Sequence, residues 1–283
     1  MAYNECVITG DSQVYALIGC PIDYSLSPTI QNAAFKVTRI NAVYVPFCVR
    51  KPYLKQAIDG LRALGVNGFN VTAPHKTDVI RFVDDLEPGA EEIGSVNTVV
   101  SKDGVLRGYN TDGIGALKTL EEAGASLDGQ SLLLFGAGGA AQAIAHVFAT
   151  RVNTIRIVNR TLSRAKRLER RLLKKTNVHV EIAGLSSKTI RTFVKEASII
   201  VNASSMSHPP LRHDWLRPDQ FVLDIVYKPV ETKLLKLARR AGARAIDGRI
   251  MLIHQGACSF EIWTGRKAPL DAMRKAIAMK LPA

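Results

Sequence analysis

Residues 131–141 read Ser-Leu-Leu-Leu-Phe-Gly-Ala-Gly-Gly-Ala-Ala, and the architecture of the chain follows from them. Five residues of apolar strand run directly into a glycine turn, and a helical pattern opens behind it over Ala140–Ala149. Glycines permit the tight turn and a close backbone approach, while the free amides at the head of the helix suit a pyrophosphate. Gly136, Ala137, Gly138, Gly139 and Ala140 are therefore candidate dinucleotide contacts, with Ala141 filling the last position of the usual glycine spacing. A glycine-rich turn of this kind also occurs as a plain structural turn. Downstream the alternation continues through TIRIVN, a helix over Leu162–Lys174, VHVEI, a helix near Ser186–Lys195, SIIVN, FVLDIV, a helix over Glu231–Ala241, and ARAID. That cadence predicts a Rossmann-type, doubly wound parallel sheet over residues 112–249.

The strand after the turn ends in Asn159-Arg160-Thr161, with Arg164 one helical turn further on. A site for NAD would usually present a carboxylate to the ribose hydroxyls there. Guanidinium groups instead bind a 2′-phosphate bidentately, so NADP is the expected cofactor. The competing reading is that both arginines are solvated residues at a helix start.

Upstream, residues 1–111 alternate VYALIG, a helix over Pro28–Thr38, AVYVPFCV, a helix over Pro52–Leu64, and VNGFNV, which predicts a first α/β domain. VNTVV and VLRGYN flank an Asp103-Gly104 pair suited to a hairpin, so its sheet is expected to be mixed. In GCPIDYSLSP, Pro28 fits the first helical position and Ser27 the cap. Ser25 and Ser27 could then face one carboxylate, although Ser-x-Ser-Pro alone is more often a helix cap. Pro74 shapes the loop of Asn70-Val71-Thr72-Ala73-Pro74-His75-Lys76 so that Lys76 can point inward, and Asp112 of GYNTD, opening a helix over Asp112–Ala123, could supply its counter-charge. A lysine beside a carboxylate suits proton transfer to an alcohol or ketone oxygen. Taken separately, each would be a surface charge.

GCPIDYSLSP, NVTAPHK, SVNT, GYNTDG, GAGGAA, NRT, DIVYKPVET and GRIMLIHQGA occur in one order along the chain. Together they resemble the shikimate dehydrogenase family, over about Tyr15 to Met279. The resemblance implies an N-terminal α/β substrate domain (1–111), a Rossmann-type NADP domain (112–249) with the active site in the cleft between them, and closing helices in 250–283 that pack back on the first domain. It implies NADPH-dependent reduction of 3-dehydroshikimate to shikimate, with Lys76 as acid/base and Asp112 as its partner. Ser25 and Ser27, helped by Thr72 and Tyr227, are the implied carboxylate contacts, and Asn97, Asp112 and Gln255 the ring-hydroxyl contacts; Gly248, opening the last motif, joins the cofactor residues. Two departures stand out. Asn202-Ala-Ser-Ser-Met206-Ser-His208 lacks a glycine expected near the nicotinamide, which puts the loop over Ser204–His208 in question, and Ser95 replaces a common alanine.

Composition bounds the alternatives. The 283 residues carry a net charge of +13 and a pI near 9.7, with basic clusters at Arg160–Lys175 and Lys233–Arg249. Leu162, Leu168, Leu172 and Leu173 interleave the first cluster at helical spacing without stacking aromatics, so a solvated helix face is expected rather than a nucleic-acid surface. Leu132–Ala149 is apolar but reads as strand, turn and helix, so no membrane partner is expected. Cys6, Cys20, Cys48 and Cys258 show no paired spacing, predicting neither disulfides nor zinc and fitting a cytoplasmic protein. No histidine has metal-ligand spacing with another ligand type, so no metal is expected. The small-molecule substrate is thus the expected partner of a monomer or homodimer. Rival readings are a quinate/shikimate enzyme of relaxed substrate or cofactor choice, and a basic dinucleotide-binding module without turnover.

Overall fold

A computed structural model describes residues 8–280, apart from Ser205, Ser207, His208 and the side chain of Ser187. The chain divides into two compact units, one reaching to Thr111 and resuming at Gly256, the other spanning Asp112–Gln255.

The first unit contains β1 (Gln13–Gly19), α1 (Ser27–Thr38), β2 (Ala42–Cys48), α2 (Leu54–Ala63), β3 (Gly68–Val71), β4 (Asp85–Leu86), α3 (Pro88–Ile93), β5 (Thr98–Lys102) and β6 (Val105–Tyr109). Its sheet runs β2-β1-β3-β5-β6-β4 and is mixed, as expected: β1 pairs in parallel with β2 and β3, whereas β5 is antiparallel to β3 and β6. The β5–β6 hairpin turns at Asp103 (φ 52°) and Gly104 (φ 79°), two left-handed residues that match the twist of the paired strands. Ile18, Ile58, Leu61, Phe69, Val71 and Leu106 pack as the core on one face of this sheet.

The second unit begins with α4 (Asp112–Glu122) and continues with β7 (Ser131–Phe135), α5 (Gly139–Phe148), β8 (Thr154–Val158), α6 (Leu162–Leu173), β9 (His179–Ala183), α7 (Ser187–Glu196), β10 (Ile199–Asn202), β11 (Phe221–Asp224), α8 (Lys233–Arg240), β12 (Arg244–Asp247) and the part of α9 (Gly248–Thr264) up to Gln255. All six strands are parallel in the order β12-β11-β10-β7-β8-β9. The apolar run of β7 alternates between two cores: Leu132 and Leu134 pack with Ile144, Phe148 and Leu168, while Leu133 and Phe135 pack with Ile190, Val194 and Leu234. Helices therefore cover both faces, which is why a continuous rather than alternating hydrophobic run sits in this strand. On α6 the buried stripe is Ala165, Leu168 and Leu172, whereas Leu162 and Leu173 are exposed. The leucine pattern read from sequence was thus too wide by one residue at each end, but the basic residues do lie on the outer face.

The last helix, α10 (Leu270–Lys280), packs against α1 in the first unit. Residues of α9 beyond Gly256 belong to the same unit: Phe260 lies 5.6 Å from Phe35, Trp263 4.9 Å from Tyr15, and the Trp263 indole donates to the Val99 carbonyl at 3.0 Å. Among the described residues no helix is long and apolar enough to cross a membrane.

Candidate active site

In the first unit the candidate substrate loops leave the carboxy ends of two neighbouring parallel strands, β1 and β3. Their roots are stitched together: Thr72 N–H donates to the Ile18 carbonyl at 2.9 Å and Cys20 N–H to the Ala73 carbonyl at 3.1 Å. A side chain at Gly19 would force this junction to move, because a Cβ would lie 2.3 Å from the Thr72 methyl and 3.0 Å from the Ala73 oxygen.

The start of α1 differs from the expectation. The helix begins at Ser27, the cap position falls on Leu26, and no side chain caps it. Ser25 instead accepts the Ser27 amide at 3.2 Å, so the half-buried Ser25 supplies the hydroxyl that Ser27 was expected to provide, and Ser27 itself is buried inside the first turn. Pro28 has no N–H to be capped, so the helix can start one residue early.

Lys76 is half-buried and its backbone is held on both sides. Its carbonyl accepts Val96 N–H at 2.8 Å, and the preceding His75 donates its amide to Thr72 at 3.0 Å. The buried His75 ring reaches the Val49 carbonyl at 2.6 Å; a carbonyl can only accept, so Nε2 carries the proton. Beneath this loop lies a polar network not evident in the sequence. Asn70 donates to the Asn97 carbonyl, Thr98 and Ser259, each at 3.0 Å, and accepts the Tyr44 hydroxyl at 2.8 Å. The buried Asn97 amide in turn donates to Thr111 Oγ1 at 2.9 Å, and its oxygen accepts Thr111 N–H at 2.8 Å. Asn97 is thus fastened at the residue before Asp112.

Asp112, buried at the first position of α4, belongs to the second unit, as do the half-buried Tyr227 and Gln255. The Gln255 amide donates to Leu252 in its own helix at 3.0 Å. A second buried network escaped the sequence reading: the Asp224 carboxylate, at the end of β11, accepts from Thr232 (2.7 Å), Asn202 (3.0 Å) and Val226 N–H (3.1 Å). Burial nevertheless pushes this carboxyl above its ordinary value. Asn202 also holds Ser204, accepting its hydroxyl at 2.7 Å, and Ser204 takes the Met206 amide at 3.3 Å. In this chain that serine turn stands where a glycine was expected; Ser205, Ser207 and His208 lie outside the described residues.

The strand order of the second sheet reverses between β7 and β10, the place where such sheets bind ligands. Gly136 leaves β7 there with φ 116°, and a Cβ on it would lie 2.6 Å from the Ala203 carbonyl beyond β10. Gly138 is the cap of α5, exposed and with open space where its Cβ would be, and the half-buried Gly139 and Ala140 form the first turn. Ala137 is buried beneath the turn. At the end of β8, Asn159 bonds the Thr161 carbonyl at 2.9 Å, Thr161 is the cap position of α6, and Arg160 and Arg164 are exposed with no carboxylate among residues 159–161. Gly248 opens α9 directly after β12. This set fits NADP: a glycine cradle and helix head for the pyrophosphate, and two guanidinium groups for a 2′-phosphate.

Two cysteines far apart in sequence meet in the fold. Parallel pairing sets Gly19 opposite Cys48, which brings the thiols of Cys20 and Cys48 to 2.7 Å although 28 residues separate them in sequence. The Cys20 thiol pushes the Cys48 thiol above its usual range. Cys6 lies outside the described residues. Among the described residues no three His, Cys, Asp or Glu side chains gather as a metal site.

The fold and this glycine turn define a dinucleotide-dependent oxidoreductase built from an α/β unit with a mixed sheet and a Rossmann-type unit. Residues 17–99 match the shikimate dehydrogenase substrate-binding domain, residues 118–237 the shikimate/quinate 5-dehydrogenase domain, and residues 251–278 the shikimate 5′-dehydrogenase C-terminal domain. The chain is 44% identical to the NADP shikimate dehydrogenase of Pyrococcus furiosus over 95% of its own length and 96% of that protein. A crystal structure of a shikimate dehydrogenase in complex with NADP+ superposes with a TM-score of 0.90 at 40% identity, covering 98% of both chains. The Listeria monocytogenes shikimate 5-dehydrogenase, in complex with shikimate and NAD, gives 0.87 at 37% identity, covering 95% of this chain and 98% of that one. The chain belongs to the shikimate dehydrogenase family.

Proposed function

We propose that the protein catalyses the reversible, NADPH-dependent reduction of 3-dehydroshikimate to shikimate, a step of chorismate and aromatic amino-acid formation, in the cytoplasm. The observation that carries this reading is the stitching of the β1 and β3 loops at their roots. Hydroxyls suited to a carboxylate and an ammonium suited to an oxygen thereby belong to one rigid piece of protein. Ser25 and Ser27, with Thr72 and Tyr227, hold the substrate carboxylate, while Asn97, Asp112 and Gln255 orient the ring hydroxyls. Bound NADPH supplies the hydride. The Lys76 ammonium donates its proton to the carbonyl oxygen as charge develops on it, and in oxidation the neutral amine takes the hydroxyl proton. The Asp112 carboxylate steadies the lysine charge and accepts a hydrogen bond from the substrate. Arg160 and Arg164 bind the 2′-phosphate, and the glycines from Gly136 to Gly139 with Ala137, Ala140, Asn159, Thr161 and Gly248 line the rest of the dinucleotide. On this reading the first unit is the substrate domain and the second the NADP domain.

A second reading, with quinate as the preferred polyol, draws on the family model over residues 118–237, whose description spans both activities. Purified protein given shikimate and NADP should form NADPH and 3-dehydroshikimate in equal amounts. Folded protein that forms no NADPH from shikimate would remove the reading, and turnover of quinate alone would transfer it to the second.

A further inference from the structure

We propose that Cys20 and Cys48 are a redox pair that closes to a disulfide by exchange with a small-molecule disulfide of the glutathione class, stapling the end of β1 to the end of β2. The geometry is already set. The two sulfurs stand 2.7 Å apart as free thiols, so a bond of about 2.05 Å draws them together by roughly 0.7 Å. Backbone bonds fix the flanks: Val49 N–H donates to the Gly19 carbonyl at 2.9 Å, and Cys20 N–H to Ala73 at 3.1 Å. Access is also provided. Cys48 is exposed at the rim of a surface depression of about 430 Å³ lined by Val49, Arg50, Tyr53, Gln56 and Ala57, where Arg50 offers a positive charge to a peptide-like disulfide bearing carboxylates.

The chemistry balances as thiol–disulfide exchange. Cys48, the accessible thiol, loses its proton to solvent and attacks one sulfur of the incoming disulfide, forming a mixed disulfide and expelling one small thiolate; because Cys20 disfavours this thiolate, the step quickens as pH rises. The Cys20 thiolate then attacks the Cys48 sulfur and expels the second. The protein loses two electrons and two protons, and the small disulfide is reduced to two thiols. In a reducing medium the pair stays open. The crosslink closes a loop that contains α1 and the Ser25 turn, so its main effect is to restrict the unfolded chain while leaving native geometry nearly unchanged. This sulfur chemistry stands apart from the oxidoreductase reading and does not depend on it.

The test is incubation of the full-length protein in oxidised glutathione, alkylation of remaining thiols under denaturing conditions, and peptide mapping by mass. A Cys20–Cys48 crosslinked peptide, lighter by two hydrogens and reopened by dithiothreitol, is expected. Oxidised protein should melt higher than reduced protein by a few degrees, and Cys48→Ser should abolish both the crosslink and the difference in melting. Full alkylation of both cysteines after prolonged incubation, or a mixed disulfide on Cys48 that never resolves onto Cys20, overturns the proposal.

Discussion

The Ser95 hydroxyl is fully buried and meets no hydrogen-bond partner among the described residues, while its carbonyl holds the Asn110 amide at 2.8 Å. A buried hydroxyl without a partner carries its desolvation cost uncompensated. Ser95→Ala should therefore stabilise the protein by about 1 kcal/mol, read as a higher urea midpoint at unchanged m-value; an unchanged or lower midpoint would mean the hydroxyl finds a partner in solution. Lys76 makes the opposite kind of prediction, because the role proposed for it is in the reaction rather than the fold. Lys76→Ala should lower kcat by about a hundred- to ten-thousand-fold with a much smaller change in KM, and a near-normal kcat would remove it from the mechanism. These two residues also divide what sequence could tell. Lys76 stands out in the sequence as a candidate because a proline-shaped loop and a family motif mark it, whereas Ser95 is visible there only as a departure whose meaning depends on burial.

At the scale of elements, the β7 turn admits a sharp test. Gly136→Ala must place a side chain at φ 116° and within 2.6 Å of the Ala203 oxygen. The backbone strain alone is about 1–3 kcal/mol, so the variant should bind NADPH at least tenfold more weakly and melt earlier; unaltered affinity, measured by fluorescence titration, would show that the turn does not shape the site. The arginines after β8 are tested together. Arg160→Ala combined with Arg164→Ala should reduce the preference for NADP over NAD in kcat/KM by about ten- to a hundredfold, and an unchanged ratio would make them solvated helix-start charges. Local patterns announced these elements: glycine spacing for β7–α5, Asp103-Gly104 for the β5–β6 hairpin, and leucine periodicity for α6. Contacts across long separations could not be read that way. Asn70 reaches Ser259 over 189 residues, and Cys20 reaches Cys48 only because β1 and β2 pair in parallel. The cap of α1 was misread for a subtler reason: Ser27 before Pro28 satisfies the sequence rule, but the helix starts at Ser27 itself, which leaves the cap position to Leu26.

For the whole molecule, pH separates two sets of carboxylates. Asp84 is held below the ordinary carboxylate value of 3.8 by the Leu106 amide and Arg62, and Asp128 by Arg151. Groups made more acidic by folding contribute stability that is complete above 3.8 and is lost as pH falls through their lower folded values. Asp224 has the reverse sign. Its folded value is raised by burial, so the native state holds a proton that the unfolded chain releases, and stability from this group is present at low pH and lost as pH rises through the folded value. The stability of wild type minus that of Asp224→Asn should therefore fall as pH rises above 3.8, and a difference independent of pH would contradict the burial argument.

The proposed function requires selection of shikimate as substrate and selection of the 2′-phosphate on the cofactor. Initial rates of oxidation of shikimate and quinate, each with NADP and with NAD, test both halves at once. Shikimate with NADP is expected to lead the other three pairs in kcat/KM by tenfold or more, about 1.4 kcal/mol. A lead by quinate would contradict the substrate assignment, and a lead by NAD would contradict the role given to Arg160 and Arg164.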